Sequence, residues 1–147
     1  MNERPIRILL VEDNAGDARL TREALKQIKV PVAVHVAVNG IQALDFLYRR
    51  GEYKESPRPD LVLLDLNLPK KDGREVLEDI KGHPSLRSIP VVVLSTSTSP
   101  TDINRSYELH ANSYISKPMD LEGFLEVVQG IEKYWLTVVK YPQELNA

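Results

Sequence analysis

Five short apolar runs, separated by stretches with helical periodicity, constrain the fold of this chain more than any other feature. Residues 61–64 read Leu-Val-Leu-Leu, and a run without alternation is typical of a parallel strand covered on both faces. The other runs begin near Ile6, Val32, Val91 and Ser113. Strands that alternate with helices predict an α/β fold, here an open parallel five-stranded (βα)5 sheet with helices on both faces.

The composition limits what such a chain can do. Its 147 residues match one domain and leave no room for a second of similar size. The 19 Lys and Arg against 21 Asp and Glu give no basic footprint for nucleic acid. The absence of cysteine excludes disulfides and thiolate chemistry. No apolar run is long enough to span a membrane, so we expect a cytoplasmic protein.

Polar and charged residues stand where four of the predicted strands end. Because ligands bind outside the carboxyl ends of the strands in open α/β sheets, these residues are candidate site residues. They are Glu12 and Asp13 after the first strand, Asp65 after the third, Ser95 and Thr96 after the fourth, and Lys117 after the fifth.

Three carboxylates at one edge of a sheet repel one another unless a cation lies among them. Carboxylate oxygens suit Mg²⁺, so a divalent-metal site is expected. With a lysine and a hydroxyl at the same edge, the set can hold a phosphoryl group. Asp65 is then the nucleophile that becomes an aspartyl phosphate.

Each of these residues also has an ordinary structural explanation. Asp13 could be a helix-start residue, Ser95 a satisfied strand end, and Lys117 a solvated loop lysine. Asp65 could be half of a salt bridge with Lys117. The position of each residue at the same end of a different strand favours a shared site.

Four segments resemble the receiver domain of two-component response regulators, which has the flavodoxin-like, CheY-like fold. They are LLVEDN, LVLLDLNLPKKDG, PVVVLST and SYISKP, and they extend from near the start of the chain to Pro118. The resemblance implies a single receiver domain over residues 1–147 without a separate output domain. It also implies a stoichiometric phosphoacceptor rather than an enzyme.

The resemblance implies a role for each matching residue. Asp65 is the phosphoacceptor, and Glu12, Asp13, Asp65 and the backbone carbonyl of Asn67 hold Mg²⁺. Phosphoryl contact and switching fall to four residues: Ser95, Thr96, Lys117 and the aromatic switch residue Tyr114. Two residues are structural: Gly73 in the turn after the third strand, and Pro118, whose bond to Lys117 is often cis in the family.

A narrower resemblance is to the small response regulators paired with cyanobacterial bacteriophytochromes, the Rcp type. It is carried by the loop GEYKESPRPD and the segments LNLPKKDGREVL, SYELHANSYISKP and QGIEKYW. It implies a photoreceptor histidine kinase as phosphoryl donor and a homodimeric regulator.

The last helix is predicted to be extended, from Leu121 to about Val139, with more apolar surface than one contact with a sheet needs. One stripe carries Leu121, Leu125, Val128, Ile131 and Trp135, and a second carries Phe124, Val127, Tyr134, Val138 and Tyr141. A second stripe favours a second copy of the chain as partner. The alternative is that the helix is deeply buried or that its aromatic residues pack under the long loop.

Three other functions compete with a phosphorylation switch. A metal-dependent phosphatase that uses Asp65 would need an acid two residues later, where the chain has Asn67. A nucleotide-binding module would need a glycine-rich phosphate loop, and neither GxxxxGK[ST] nor GxGxxG is present. A pseudo-receiver that acts as a phosphorylation-independent scaffold stays open.

Overall fold

Each apolar run of the sequence is a strand in the computed structural model, which describes residues 4–28 and 30–142. The described residues contain five strands and five helices in strict alternation, as the sequence predicts. They are β1 (Ile6–Val11), α1 (Ala15–Lys26), β2 (Val32–Ala37), α2 (Gly40–Tyr48), β3 (Leu61–Leu64), α3 (Gly73–Gly82), β4 (Val91–Ser95), α4 (Pro100–Glu108), β5 (Ser113–Ser116) and α5 (Leu121–Trp135). The predicted loop 51–60 also contains a short 3₁₀ turn, Gly51–Tyr53.

The five strands form one parallel sheet in the order β2-β1-β3-β4-β5. From β1 the chain passes first to β2 on one side and then to β3 on the other, so the strand order reverses between β1 and β3. In open α/β sheets this reversal opens a crevice at the carboxyl ends of the strands. The residues that follow β1 and β3 therefore face a common site.

Alternate residues of β1 enter two separate apolar cores. Leu9 and Val11 pack on the side of the sheet that α2 and α3 cover. Ile8 and Leu10 pack on the other side, with buried residues of α1 and α5. Both faces of the central strands are covered, which explains why their sequences are apolar without alternation.

Side chains cap the first turns of three of the helices. Asn14 accepts a hydrogen bond from the backbone N–H of Asp17 at 2.9 Å and caps α1. Asp72 and Glu75 form a reciprocal capping box at the start of α3, and the side chain of Ser99 caps α4. Because each cap satisfies backbone N–H groups that the helix cannot, the helices begin at defined residues.

The helix α5 begins as predicted but ends at Trp135, four residues before the expected end near Val139. Its 15 residues still make it the longest of the described helices. Three β-branched residues with low helix propensity follow, Thr137, Val138 and Val139. The Thr137 hydroxyl donates to the backbone carbonyl of Glu132, a local contact that competes with continuation of the helix.

The assignment of Phe124 to the second stripe of α5, and so to a dimer surface, is wrong. Phe124 is 4% exposed and belongs with Val128 and Ile131 to the core stripe of the helix. Val127 lies at the border, partly buried against the same core. Of the residues predicted for a dimer surface, Tyr134 is exposed on this helix and Val138 is exposed just beyond it.

The peptide bond between Lys117 and Pro118 is trans, as are the other described peptide bonds. The cis bond that is frequent at this position in receiver domains is therefore not adopted. The described residues contain no helix with the length and apolar character that a membrane crossing requires.

Candidate functional site

Asp65 lies at the carboxyl edge of the sheet, directly after β3. Its backbone N–H donates to the carbonyl of Val11 at 3.0 Å and continues the ladder between β1 and β3. The residue is 9% exposed, and its Oδ1 atom lies 3.4 Å from the backbone nitrogen of Asn67, which is itself exposed. This weak contact leaves most of the hydrogen-bonding capacity of the carboxylate unused.

Three carboxylates come together at this edge, as the sequence predicts. One oxygen each from Glu12, Asp13 and Asp65 lies within 4.8 Å of the other two. The backbone N–H of Glu12 donates a hydrogen bond of 2.9 Å to the backbone carbonyl of Ala37, which fixes the position of Glu12. Glu12 and Asp65 are buried while Asp13 is exposed, so the cluster can be reached from solvent. Converging hard oxygen atoms with one open side fit a divalent cation that keeps some of its water.

The Lys117 ammonium lies inside the same cluster. It donates a hydrogen bond to Glu12, and its Nζ atom lies 3.2 Å from Oδ2 of Asp17 and 3.7 Å from Oδ2 of Asp65. The Lys117 side chain is only 5% exposed. The salt bridge between Lys117 and Asp65, which is the structural alternative for Asp65, therefore exists, but as one of several contacts in a shared site.

Burial and nearby charge act in opposite directions on the pKa of Glu12 and of Lys117. Burial raises the pKa of Glu12 to about 7, despite the hydrogen bond from Lys117 and the positive charge of Lys117. Burial also acts to lower the pKa of Lys117, but the hydrogen bond to Glu12 and the charges of Glu12 and Asp65 outweigh it and the net direction is upward. One ammonium contacts three carboxylates, those of Glu12, Asp17 and Asp65, and Asp13 adds a fourth beside them, so the excess negative charge favours an added cation.

Ser95, the last residue of β4, is fully buried beside the cluster. Its Oγ atom accepts a hydrogen bond of 3.2 Å from the backbone N–H of Ser97. A hydroxyl that accepts one hydrogen bond can still donate its own proton, so Ser95 can serve an anion at this edge. The next residue, Thr96, is exposed.

Tyr114 lies on β5 with its ring partly buried against the core on the α2 and α3 side. Its hydroxyl donates to the backbone carbonyl of Ser97 at 2.8 Å. The predicted switch residues Ser95 and Tyr114 therefore contact the backbone of the same residue in the loop after β4.

Two glycines allow the backbone to close around the site. A Cβ atom at Gly73 would lie 2.2 Å from the carbonyl oxygen of Asp65, which explains the structural role that the resemblance implies. Sequence reasoning missed Gly40, where a Cβ atom would lie 2.2 Å from the carbonyl oxygen of Lys71. Both close approaches require a residue without a side chain.

Sequence reasoning also missed two carboxylates that contact predicted site residues or their loop. Asp17 contacts Lys117, and Asp102 accepts a hydrogen bond from the Ser97 side chain at 2.6 Å. Each is the third residue of a helix, where an acid is explained by the helix start alone. The sequence therefore contains no separate signal for their tertiary contacts.

Comparison with known proteins supports the resemblance to receiver domains. Residues 8–129 match the model of the response regulator receiver domain. The chain is 52% identical to response regulator Rcp1 of Synechocystis over 92% of both chains. It also matches the Mn²⁺-bound crystal structure of Rcp1, with a TM-score of 0.92 and 51% identity over 95% of this chain and all of that one.

A second solved structure shows the same degree of similarity. The phosphorylated cyanobacterial phytochrome response regulator RcpA matches with a TM-score of 0.92 and 51% identity over 95% of this chain and all of RcpA. The matched family region contains all three clustered carboxylates, the predicted switch residues Ser95 and Tyr114, and Lys117. This chain is a member of the response regulator receiver domain family.

Proposed function

We propose that the chain is the phosphoacceptor of a two-component system and that Asp65 receives the phosphoryl group. The observation that carries this proposal is the convergence of Asp65 with Glu12, Asp13 and Lys117 at the strand-order reversal. A carboxylate within such a cluster can act as a nucleophile. The adjacent ammonium can neutralise part of the charge that develops on the transferring group.

The transfer is a substitution at phosphorus. A carboxylate oxygen of Asp65 forms a bond to phosphorus as the bond from phosphorus to the donor's histidine nitrogen breaks, and that nitrogen keeps the electron pair. Lys117 pairs with a phosphoryl oxygen, and the Ser95 hydroxyl donates to another. The chain accepts one group per event, so it acts stoichiometrically and not as a turnover enzyme.

Glu12, Asp13, Asp65 and the backbone carbonyl of Asn67 would hold Mg²⁺ as the divalent cation. Bound there, the cation would neutralise negative charge on the phosphoryl oxygens. Asp13→Ala should weaken Mg²⁺ binding by more than about tenfold, because it removes the exposed carboxylate of the cluster. Calorimetric titration measures the affinity, and Asp120→Ala, at the N-cap of α5, serves as the control.

The donor that we propose is a photoreceptor histidine kinase of the bacteriophytochrome type. Support comes from the 51% identity to RcpA, which is a cyanobacterial phytochrome response regulator. We expect the chain to act in the cytoplasm, where histidine kinases use ATP. Phosphotransfer from a phosphorylated bacteriophytochrome kinase, compared with an unrelated histidine kinase at equal concentration, tests this pairing.

The output that we propose is a change in self-association. A groove beside α5, here called the α5 groove, is lined on its apolar side by Ile115, Val127, Tyr134 and Trp135. Tyr134 and the nearby Val138 are 57% and 63% exposed, so they add to the apolar surface that this groove presents to solvent. Phosphorylation at Asp65 would alter Tyr114 on the adjacent β5 and so change the surface that a second copy contacts.

The decisive experiment is the intact mass after incubation with acetyl phosphate and Mg²⁺. Gain of one phosphoryl group by the natural chain, and none by Asp65→Asn, is the expected result. A gain that persists in Asp65→Asn would place the acceptor elsewhere. No gain in either protein, even with the cognate kinase and with Mg²⁺ bound, would favour a phosphorylation-independent scaffold.

A further inference from the structure

A chain of polar contacts links the first turns of α3 and α4 to both switch residues. The Nη2 atom of Arg74 lies 2.7 Å from Oδ1 of Asp102, and Oδ2 of Asp102 accepts a hydrogen bond of 2.6 Å from the Ser97 hydroxyl. The backbone of Ser97 then donates to Ser95 at 3.2 Å and accepts from Tyr114 at 2.8 Å. Ser97 is thus the residue at which the two switch residues and the two helices meet.

Polar contacts matter more for α4 than for its neighbour α3. The buried residues of α3 include Val76, Leu77 and Ile80, which anchor it by apolar packing. In α4 the fully buried residue is Ser106, so the helix has little apolar contact to fix its first turn. The contacts of Asp102 with the loop and with α3 therefore contribute a large share of what holds this end of α4.

The electrostatics of Asp102 suit this role. The hydrogen bond from Ser97 and the hydrogen bond from Arg74 both lower the pKa of Asp102. The carboxylate is therefore ionised at neutral pH, and hydrogen bonds to an ionised acceptor are stronger than those between neutral groups. Arg74 also pairs with Asp72 at the start of α3, which fixes the guanidinium between the two helices.

We propose that Arg74 and Asp102 are positioning residues that hold Ser97 so that its carbonyl receives the hydroxyl of Tyr114. Their contact sets how strongly phosphorylation of Asp65 is coupled to the surface around β5 and α5. The coupling rests on the proposed function, whereas the position of Tyr114 is a property of the chain itself. When the contact is broken, the loop after β4 loses its tether and Tyr114 is exposed for a larger fraction of the time.

The position of Tyr114 can be measured by NMR of the full chain with ¹³C-labelled tyrosine rings. The chain has six tyrosines, and the spectrum of Tyr114→Phe identifies the signal of Tyr114. Attenuation of that signal by a soluble paramagnetic chelate reports its exposure. Asp102→Ala and Ser97→Ala should each lower the ratio of buried to exposed Tyr114 about fivefold. That is the change in an equilibrium that the loss of one hydrogen bond typically causes.

Three further variants separate positioning from a general loss of stability. Ser97→Thr keeps the hydroxyl and should restore the natural ratio, whereas Arg74→Gln breaks the contact from α3 without altering α4. Asp79→Ala is the matched control. Asp79 lies on α3, and its ion pair with Lys71, at 2.8 Å, is about as exposed as the pair of Arg74 with Asp102.

Two results would overturn the inference. One is an unchanged exposure of Tyr114 in Asp102→Ala and Ser97→Ala while both keep native circular dichroism. The other is that the changes in Tyr114 exposure add up in the double variant Ser97→Ala/Asp102→Ala. If Asp102 acts through the Ser97 hydroxyl, removing Asp102 should have no further effect once residue 97 is alanine.

Failure of the proposed function would look different. Absence of a phosphoryl mass gain in the natural chain, with acetyl phosphate and with the cognate kinase while Mg²⁺ is bound, would refute phosphorylation. The exposure of Tyr114 without phosphorylation would still decide the role of Arg74 and Asp102. If both hold, the variants should accept the phosphoryl group and show a smaller change of Tyr114 exposure on phosphorylation than the natural chain.

Discussion

The Nζ atom of Lys117 lies 3.7 Å from Oδ2 of Asp65, although β4 lies between the strands that these residues follow. The same ammonium contacts Glu12 and Asp17, so it is fixed on two sides and directed at the proposed acceptor. A cation that is fixed before the reaction needs no reorganisation as charge develops on the transferring group.

Lys117→Met should slow the phosphorylation of Asp65 by acetyl phosphate by roughly a hundredfold, because it removes the fixed positive charge at the site. The rate is measured as intact mass against time at saturating Mg²⁺. Lys133→Met, on the exposed side of α5, should keep the natural rate. A natural rate in Lys117→Met would mean that the ammonium does not assist the transfer.

Gly73→Ala should destabilise the fold by about 2–3 kcal/mol, since the new methyl group would lie 2.2 Å from the Asp65 carbonyl oxygen. Urea denaturation measures the free energy of unfolding. Gly82→Ala is the matched control on the same helix, because nothing lies within 4 Å of its Cβ position. It should change the free energy of unfolding by no more than about 1 kcal/mol. Equal stabilities of the two variants would contradict the close approach.

Lys81 should make stability depend on pH in the alkaline range. Its ammonium donates to the carbonyls of Arg87 and Ile89 and to the Asn112 side chain, and burial lowers the pKa of Lys81 from 10.5 to about 8. Between these two pH values the unfolded chain holds a proton that the folded chain has released. The unfolded state binds more protons, so this group makes the free energy of unfolding rise with pH.

The contribution of Lys81 is isolated by comparison with Lys81→Met. The difference in unfolding free energy between the natural chain and this variant should grow in favour of the natural chain from pH 8 to pH 10. The unfolding free energy of Lys133→Met should change with pH in the same way as that of the natural chain over this range. A difference for Lys81→Met that stays constant with pH would show that the three acceptors keep the ammonium charged.

Local patterns account for most of what the sequence predicts correctly. The apolar run 61–64 specifies its strand through neighbours in the chain. The convergence of Asp65 and Lys117 follows from one topological rule, that parallel strands end at a common edge. These predictions needed no knowledge of side-chain packing.

The error at Phe124 and the two missed carboxylates arise where tertiary contacts decide the role of a residue. Phe124 and Val127 both fit an apolar stripe, and only the way that α5 lies on the sheet decides that Phe124 is buried. Asp17 and Asp102 each satisfy a helix start, so their contacts with Lys117 and Arg74 leave no trace in the local sequence. When a local role already explains a residue, the sequence gives no reason to expect a long-range contact as well.

Tyr134→Asp should weaken self-association, because it would place a charge without a partner in the proposed interface along the α5 groove. Tyr134 is 57% exposed, so its replacement removes little folding energy. We expect the dimer dissociation constant to rise by at least about tenfold, measured by sedimentation velocity. Leu121→Asp is the control, since Leu121 is 58% exposed at the start of the same helix and outside the groove lining.

The same measurement tests whether phosphorylation controls the dimer. In the natural chain, phosphorylation should tighten or loosen association, because Ser95 and Tyr114 contact one loop and Tyr114 lies on β5, whose Ile115 lines the groove. Equal dissociation constants with and without the phosphoryl group would refute this coupling. If Leu121→Asp weakened association as much as Tyr134→Asp, the interface would have to lie elsewhere on α5.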